Sequence, residues 1–309
     1  MDRACEKIGK KCKHIEDNGN CAWLGNDNYP LQCVGAWAED KYYFLERYLN
    51  ASREARRRFS DQGNAVFIDL FSGPGRCIIG EKKEEITSGG FRATDLIEAP
   101  FNEYIFCDID EDNIEALRQR TQQKQNCIFY TGDSNKTIED IIIHLKKKDY
   151  RYHFAYIDPF APENLNFNTL QALAQFKRMD MLIHFPIGAI HRNLDYNWLN
   201  KTNTILDTFL GTDTWRKRIE DARKNAKYND YYILTDIFKE QLKAVGYPEE
   251  GLKLQESERG LLEQLSTVAI KNTRNVNLYV LILASKHGLG QKIWNSIIKI
   301  DPRGQRSLF

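Results

Sequence analysis

The chain has 309 residues, which is long enough for one large α/β domain or two small ones. Hydrophobic residues make up 42% of it and charged residues 28%, as in ordinary globular proteins. The 44 Lys and Arg residues nearly balance the 43 Asp and Glu residues, so no overall field attracts nucleic acid, although a local basic patch is possible. No apolar run reaches the length of a membrane span, and the N-terminus has no signal-peptide core. We therefore expect a soluble, cytoplasmic protein.

Seven cysteines are distributed unevenly along the chain. Four of them lie in the polar segment 1–35, namely Cys5, Cys12, Cys21 and Cys33. One interpretation is a thiolate site for zinc or an iron–sulfur cluster that holds this segment together. The spacing contains no Cys-x-x-Cys pair, so unpaired cysteines in a surface extension are the alternative. The other three, Cys77, Cys107 and Cys127, fit free thiols in a reducing compartment.

Residues 36–59 have the apolar spacing of a helix, with two acidic residues near its start. Three consecutive arginines, Arg56, Arg57 and Arg58, come at its C-terminal end, where cations suit the helix dipole. A solvated helix end is the simpler interpretation of this run, and a phosphate-binding site is the alternative.

The stretch 65–70 is an apolar run that predicts a buried parallel strand, and its only interruption is Asp69. Ser72, Gly73, Pro74 and Gly75 follow it directly. Glycines after a buried strand let the chain turn sharply and let backbone N–H groups approach a ligand. A carboxylate at this position repels phosphate but suits the ammonium and sulfonium groups of S-adenosylmethionine (SAM). An ordinary strand-to-loop turn is the alternative interpretation.

Two further strands with polar ends follow. The first, 104–107, ends at Asp108, which is placed to accept hydrogen bonds from both hydroxyls of a ribose, and Asp110 is expected to cap the next helix. The second precedes Gly132, Asp133 and Ser134, and a Gly-Asp pair at this point can bend over an adenine and accept from its amino group. The alternative is that Asp108 and Asp110 are simply acidic residues at the start of the next helix and bind no ribose.

A fourth strand stops at Asp158, Pro159 and Phe160, and a fifth covers 181–185. The carboxyl ends of all these strands fall on one edge of a parallel sheet, which is where ligands bind in such folds. The alternative for Asp158-Pro159-Phe160 is a plain strand-ending turn. The C-terminal part predicts a strand, then a turn at 286–288 that leads either into a helix or into another strand.

Residues 190–250 are charged and helical, and we interpret them as an inserted cap. Its basic residues lie among aromatic residues that could stack on bases, although aromatic residues on helices more often belong to a core. The aromatic residues are Trp198, Phe209, Trp215, Tyr228, Tyr231 and Tyr232, and the basic ones are Arg216, Lys217, Arg218, Arg223 and Lys224.

These motifs, in this order, resemble those of the Rossmann-like SAM-methyltransferase fold, a mostly parallel sheet flanked by helices. With the segments VGAWAEDKYYFLERYL before them and LYVLILASKHGLGQKIW after them, residues 30 to 300 resemble the three-Cys-motif partner family (TcmP). The name of that family refers to cysteines of its genomic partner, a radical-SAM-like protein, so it says nothing about Cys5 to Cys33.

The resemblance implies roles for individual residues. Asp69, Phe71, Gly73 and Gly75 match the motif that cradles the methionine part of SAM. Asp108 matches the ribose-binding acid, and Asp133 with Ser134 matches the adenine contact. Asp158, Pro159 and Phe160 match the position at which amino-methyltransferases align a target amine, but those enzymes keep two prolines where this chain has one, which leaves N-methylation of a base in doubt.

The resemblance implies a SAM-dependent methyltransferase with an unidentified acceptor, a nitrogen or oxygen in nucleic acid, peptide or small molecule. It divides the chain into a Cys-containing extension (1–35), a Rossmann-like core (36–189 and 251–300) and the helical cap (190–250). The alternatives are another transfer reaction that uses SAM or adenosine, and a catalytically silent SAM-fold protein that serves a radical-SAM-like partner as a scaffold.

Overall fold

The computed structural model describes residues 12, 14–80, 82–124, 126–148, 150–224, 230–247, 267–300 and 302. The strands are β1 (Gln32–Val34), β2 (Ala65–Asp69), β3 (Arg76–Ile79), β4 (Glu84–Thr87), β5 (Glu103–Asp108), β6 (Cys127–Thr131), β7 (Tyr152–Ile157), β8 (Met179–Phe185), β9 (Thr267–Lys271) and β10 (Asn277–Ala284). The helices are α1 (Trp37–Ala51), α2 (Arg53–Ser60), α3 (Glu111–Arg120), α4 (Ser134–Lys148), α5 (Phe167–Leu173), α6 (Ile187–Asn193), α7 (Ile205–Leu210), α8 (Trp215–Arg223), α9 (Asp230–Ala244) and α10 (Gly288–Ile297).

The main sheet has seven strands in the order β6-β5-β2-β7-β8-β10-β9. The five strands from β6 to β8 are parallel, whereas β10 is antiparallel to both of its neighbours. The chain enters the sheet at β2 and builds outward on both sides of it, so the strand order reverses between β2 and β7. This mostly parallel, doubly wound sheet with one reversed strand near its edge is the Rossmann-like methyltransferase fold, and the predicted fold class is confirmed.

Helices cover both faces of the sheet. Apolar side chains of α1, α2, α3 and α10 pack on one face, and those of α4 to α9 pack on the other. The central strands β2, β7 and β8 are buried along nearly their whole length because both of their faces are covered. Their near-continuous apolar sequence follows from that double coverage.

A second sheet of three strands, in the order β1-β3-β4, was not expected from the sequence. Strand β3 begins directly after the glycine loop, pairs in parallel with β1 of the N-terminal segment, and returns as the hairpin partner β4. The glycine loop therefore leads into a strand and not into a helix. Segment 14–34 is joined to the loop through this small sheet.

The helix expected over 36–59 is two helices, α1 and α2, which meet at Ser52. The Ser52 hydroxyl donates a hydrogen bond to the carbonyl of Leu49. The interpretation of the arginine run as a solvated helix end is wrong for its first member. Arg56 is buried, and its guanidinium donates to the carbonyls of Ala99 and Leu49.

The segment 190–250 is helical where it is described, and its aromatic residues belong mostly to the core. Trp198, Phe209 and Trp215 are buried in the same apolar cluster as Phe185 of β8. The interpretation that they stack on bases is therefore wrong for these three rings, because none of them has a face open to a ligand. Tyr228 lies outside the described residues. The turn at 286–288 joins β10 to α10, which decides between the two alternatives left open by the sequence.

Most of the basic residues in this segment already have acidic partners. Arg216 pairs with Asp207 and Arg218 with Glu240, while Arg223 contacts both Asp195 and Asp230. These ion pairs leave little charge for phosphate. Within the described ranges, no helix is long and apolar enough to cross a membrane.

Replacing Phe209 with Ala tests whether helices α7 to α9 belong to the main core. Because the ring is fully buried against Phe185 and Phe238, its removal should lower the free energy of unfolding by about 3–5 kcal/mol. Urea unfolding should show one transition, shifted as a whole. The matched control is Tyr196→Ala in the same segment, whose ring is 89% exposed and whose loss should have little effect. Two separate transitions in Phe209→Ala would contradict a shared core.

Candidate functional site

Three carboxylates lie at the carboxyl ends of the adjacent strands β5, β2 and β7. Asp69 and Asp108 are the last residues of β2 and β5, and Asp158 directly follows β7. Because these strands are parallel, the three side chains meet at one edge of the sheet. We call this edge the acidic crevice.

Asp69 is buried at the floor of the acidic crevice and is held by backbone donors. Its Oδ1 accepts a hydrogen bond from the Phe71 N–H and its Oδ2 accepts one from the Gly90 N–H, both at 3.1 Å. Burial raises the pKa of this carboxyl to about 8, and the charges of Asp158 and Asp108 add to the rise. Asp69 is therefore mostly protonated at neutral pH.

Gly90 is a site residue that the sequence analysis missed. A Cβ atom at this position would lie 2.2 Å from Asp69 Oδ2 and 2.8 Å from the Phe67 ring, so only glycine fits beside the carboxylate. The signal in the sequence is the pair Gly89-Gly90, which follows β4 and opens a short 3-10 helix (Gly89–Asp95).

The glycine loop between β2 and β3 wraps around Asp108. Gly73 has a φ of +57° and donates its N–H to Asp108 Oδ2 at 2.7 Å. Gly75 has a φ of +82°, and a Cβ there would lie 2.7 Å from the Leu117 side chain on α3. Both glycines are required by backbone conformation, and Gly75 also by space.

Asp108 is fixed by three donors. Besides Gly73, the Asp110 N–H and the Asn113 side-chain amide donate to its Oδ1, at 3.0 and 3.1 Å. Burial raises the pKa of the Asp108 carboxyl. An ionised carboxylate accepts about four hydrogen bonds, so binding both hydroxyls of a ribose requires one of the present donors to move. The expected cap is confirmed, since Asp110 accepts from the Asp112 and Asn113 N–H groups at the start of α3.

Asp133 and Ser134 lie beyond the end of β6, the strand next to β5. Asp133 Oδ1 accepts from the backbone and side-chain nitrogens of Asn135. The Ser134 hydroxyl is buried and makes no hydrogen bond within the described part of the chain. A buried hydroxyl of this kind is a position where a bound ligand could supply the partner.

Asp158 forms a buried ion pair that the sequence did not predict. The Lys41 Nζ atom, on α1, donates to both carboxylate oxygens at 2.6 and 2.8 Å, and the two side chains are only 5% and 16% exposed. Burial alone would raise the pKa of Asp158, but the Lys41 ammonium and nearby donors hold it below its ordinary value. Asp158 is therefore ionised where Asp69 is not.

His184 and two aromatic rings complete the surroundings of this pair. His184 Nδ1 lies 3.3 Å from Asp158 Oδ1, and burial lowers the pKa of its ring to about 3, so the ring is neutral at pH 7. The Lys41 ammonium lies 4.8 Å from the Trp37 ring centre and 4.5 Å from that of Tyr279. Such cation–π contacts offset part of the cost of burying the charge.

The same two rings line a cavity of about 370 Å³ beside the acidic crevice. Its other walls include Phe160 and Arg192. Phe160 is 74% exposed at this cavity, whereas Pro159 is buried beneath it. The cavity thus presents flat apolar faces next to the Lys41–Asp158 pair.

The N-terminal segment lies against the glycine loop and α3. The Asn20 side-chain amide donates to Asn113 Oδ1 at 2.8 Å, and Asn113 in turn donates to Asp108. Arg120 on α3 donates to the carboxylate of Asp27 and to the carbonyl of Pro74 in the glycine loop. Segment 14–34 therefore helps to hold the loop in place.

The cysteines of this segment are only partly described. Cys21 is buried in a small apolar cluster with Leu31 and Ile78, and Cys33 packs against that cluster. Cys12 is partly exposed, and Cys5 lies outside the described residues. Among the side chains that the structure describes, no three His, Cys, Asp or Glu residues form a group that could hold a metal ion. The four-cysteine site remains a prediction.

Breaking the Lys41–Asp158 pair should destabilise the protein. Asp158→Ala leaves a buried ammonium without its partner and should lower the free energy of unfolding by about 3–5 kcal/mol, measured by urea unfolding. The double variant Lys41→Met/Asp158→Leu should lose less free energy of unfolding than Lys41→Met and Asp158→Leu lose together. Arg218→Ala, which removes a surface pair, is the control and should change little.

The pH dependence of this pair has a definite sign. Because the folded-state pKa of Asp158 lies below 3.8, the stabilisation by the pair is complete above that pH and is lost as the pH falls through the folded-state value.

For the double-variant experiment, strict additivity of Lys41→Met and Asp158→Leu would show that Lys41 and Asp158 do not interact.

The chain is only distantly similar to known proteins. No protein-family model matches the chain, and no curated protein matches it. Among solved structures, the chain is similar to the CMeT domain of citrinin polyketide synthase, with 16% identity and a TM-score of 0.35 over 72% of this chain and 46% of that one. It is also similar to the methyltransferase domain of bacterial CtHen1, with 13% identity and a TM-score of 0.33 over 78% of this chain and 99% of that one.

A third similar structure is the carbon methyltransferase of CurJ, with 12% identity and a TM-score of 0.32 over 72% of this chain and 48% of that one. The chain thus spans about half the length of the first and third of these structures. Similarity at this level is too low to assign an activity to the chain.

Proposed function

We propose that this protein is a SAM-dependent methyltransferase, of the kind found in the three-Cys-motif partner family. The observation that carries the proposal is the acidic crevice: Asp69, Asp108 and Asp158 end three adjacent strands beside a glycine loop that leads into a strand. A phosphate site would offer a helix N-terminus and cations at this point. A ligand with an ammonium and a sulfonium suits the carboxylates instead.

Several local features fit such a ligand. Gly73 turns its backbone N–H toward Asp108, and a Cβ at Gly73 would have the Gln32 side chain as its nearest neighbour, at 3.6 Å. The Ser134 hydroxyl lacks a protein partner, as do both ring nitrogens of His184 within the described residues. In this proposal Asp69, Phe71, Gly73 and Gly75 hold the methionine part of SAM, Asp108 the ribose, and Asp133 with Ser134 the adenine.

When bound, SAM supplies an electrophilic methyl group, and the protein supplies orientation and exclusion of water. The acceptor would lie in the 370 Å³ cavity, between the faces of Trp37, Tyr279 and Phe160. Both oxygens of Asp158 are already bound to Lys41, so an amine could be aligned by Asp158 only if Lys41 moved.

The ion pair therefore favours an acceptor that has no proton to lose. Asp158, with its lowered pKa, is a weak base, and an ammonium cannot accept a proton. An oxygen anion such as a phenolate or carboxylate needs no base, and Arg192 in the wall of the cavity carries a charge of opposite sign. SAM, held by Asp69, the glycine loop and Asp108, would supply the methyl group that such an oxygen accepts.

A catalytically silent protein that binds SAM and serves a radical-SAM-like partner is the alternative. It would keep the cofactor contacts and need no acceptor cavity. Measurements of SAM binding and of methyl transfer therefore separate the two functions.

Cofactor binding should depend on Asp108. Asp108→Ala removes charge-assisted hydrogen bonds to the ribose and should weaken SAM binding by about 1.5–3 kcal/mol in calorimetric titration. Glu115→Ala, an exposed residue on the same helix as Asn113, is the control. Equal SAM affinity of wild type and Asp108→Ala would show that the ribose is bound elsewhere.

Binding of SAM at pH 7 should release a proton from Asp69. With a pKa of about 8 this carboxyl is mostly protonated in the free protein, and a bound cation favours its ionised form. The measured binding enthalpy should therefore differ between phosphate and Tris buffers, whose ionisation enthalpies differ. In Asp69→Asn the two buffers should give the same enthalpy. Equal enthalpies in wild type would contradict the assignment of Asp69.

Phe160→Ala tests the acceptor site without disturbing the fold. Because this ring is 74% exposed, its loss should leave stability and SAM affinity unchanged but raise the KM for the acceptor about tenfold, through lost stacking. The substrate can be found by transfer of a tritiated methyl group into nucleic acid, protein or small-molecule fractions of a lysate. Ile97→Ala, with a side chain 94% exposed, is the control. The scaffold alternative would be supported by SAM binding with no label transferred to any fraction.

A further inference from the structure

A second cavity, of about 230 Å³, opens at the opposite edge of the main sheet. It lies where β7 and β8 begin, between α1, α2 and the start of α10. It is thus separated from the acidic crevice by the length of one strand, since β7 begins at this cavity and ends at Asp158. We call it the basic cavity after three exposed side chains at its rim, Arg58, Lys177 and Arg178.

Two arginines of the rim converge on one aromatic ring. The guanidinium carbons of Arg58 and Arg178 lie 4.9 and 5.4 Å from the centre of the Phe59 ring. Neither arginine makes an ion pair with any residue that the structure describes, and the same holds for Lys177. Arg57, the neighbour of Arg58 on α2, pairs with Glu54 instead. Unpaired guanidiniums that meet over an open cavity suit an anion.

The single acid in the lining does not neutralise this rim. Asp180 is buried at the base of the basic cavity, and its Oδ2 accepts from the hydroxyls of Tyr48 and Tyr152, each at 3.1 Å. The Ser285 side chain also bonds to it, and burial raises the pKa of its carboxyl. Asp180 is thus engaged by hydroxyl groups, while the rim cations face solvent.

Apolar walls complete the basic cavity. Phe59 stacks on Tyr152 with ring centres 5.7 Å apart and an angle of 14° between the planes. Ala55, Leu289 and Ile293 also belong to the lining. Helix α10 begins at the rim with Gly288, and its N-terminal dipole adds to the positive potential. A flat apolar group beneath an anionic group fits this combination.

We propose that the basic cavity binds a nucleoside monophosphate, in which one sugar carries both a planar base and a phosphomonoester. The phosphate contacts Arg58, Lys177 and Arg178 at the rim, and the base lies against Leu289 and Ile293. Neither contact involves a residue of the acidic crevice, so this inference does not depend on the proposed methyltransferase activity.

The test is calorimetric titration of the full chain with AMP, GMP, CMP and UMP. At least one of them should bind, adenosine should bind about tenfold or more weakly than AMP, and higher ionic strength should weaken binding. Arg178→Ala and Arg58→Ala should each weaken nucleotide binding by about tenfold or more. Both side chains are exposed, so neither variant should impair folding.

Two matched controls locate the nucleotide. Arg57→Ala removes an exposed arginine of the same helix that does not line the basic cavity, and it should leave nucleotide binding unchanged. Asp108→Ala should also leave it unchanged, because the nucleotide does not bind in the acidic crevice. The proposal is overturned if none of the four nucleotides binds, if Arg178→Ala and Arg57→Ala bind equally well, or if Asp108→Ala abolishes binding.

Discussion

Burial of the Lys41 ammonium against Asp158 fixes how the N-terminal helix joins the sheet. Removing two such charges from water costs several kcal/mol for each ion, and only close, well-aligned contacts repay it. Here both carboxylate oxygens bind one ammonium, which also faces the rings of Trp37 and Tyr279. Helix α1 can satisfy these contacts in one position only. The helix therefore becomes a wall of the site, although it precedes the first strand of the main sheet.

The three carboxylates of the acidic crevice have different surroundings, and their pKa values diverge accordingly. Asp158 has a cation beside it and stays ionised, whereas Asp69 has only backbone donors and buried surroundings, which raise its pKa to about 8. The acidic crevice is therefore less negative at neutral pH than its three carboxylates would indicate. A cationic ligand restores the missing charge by displacing a proton, so ligand binding and proton release are coupled.

The sequence predicted the parallel strands and their acidic ends because continuous apolar runs that stop at Asp or Gly have few alternatives. It did not predict Lys41 or Arg56 as buried, because charged residues on a helix are normally exposed and their partners, Asp158 and the carbonyl of Ala99, are distant in sequence. It also missed β3 and β4. These short strands carry charged residues, and β3 is stabilised by pairing with β1, whose residues lie 45 positions earlier in the chain.

The near-zero net charge of the chain conceals a separation of charge across the sheet. Strand β7 begins beside the basic cavity at Tyr152 and leads into Asp158 of the acidic crevice, and β8 likewise runs from Asp180 toward His184. The amino-acid composition gives only the total charge of the chain, in which the charges at these two edges of the sheet cancel. Most arginines of the helical segment are neutralised by neighbouring acids, whereas Lys177 and Arg178, directly before β8, make no ion pair with the residues that the structure describes. A balanced composition therefore excludes a global attraction for anions but not a specific site for one.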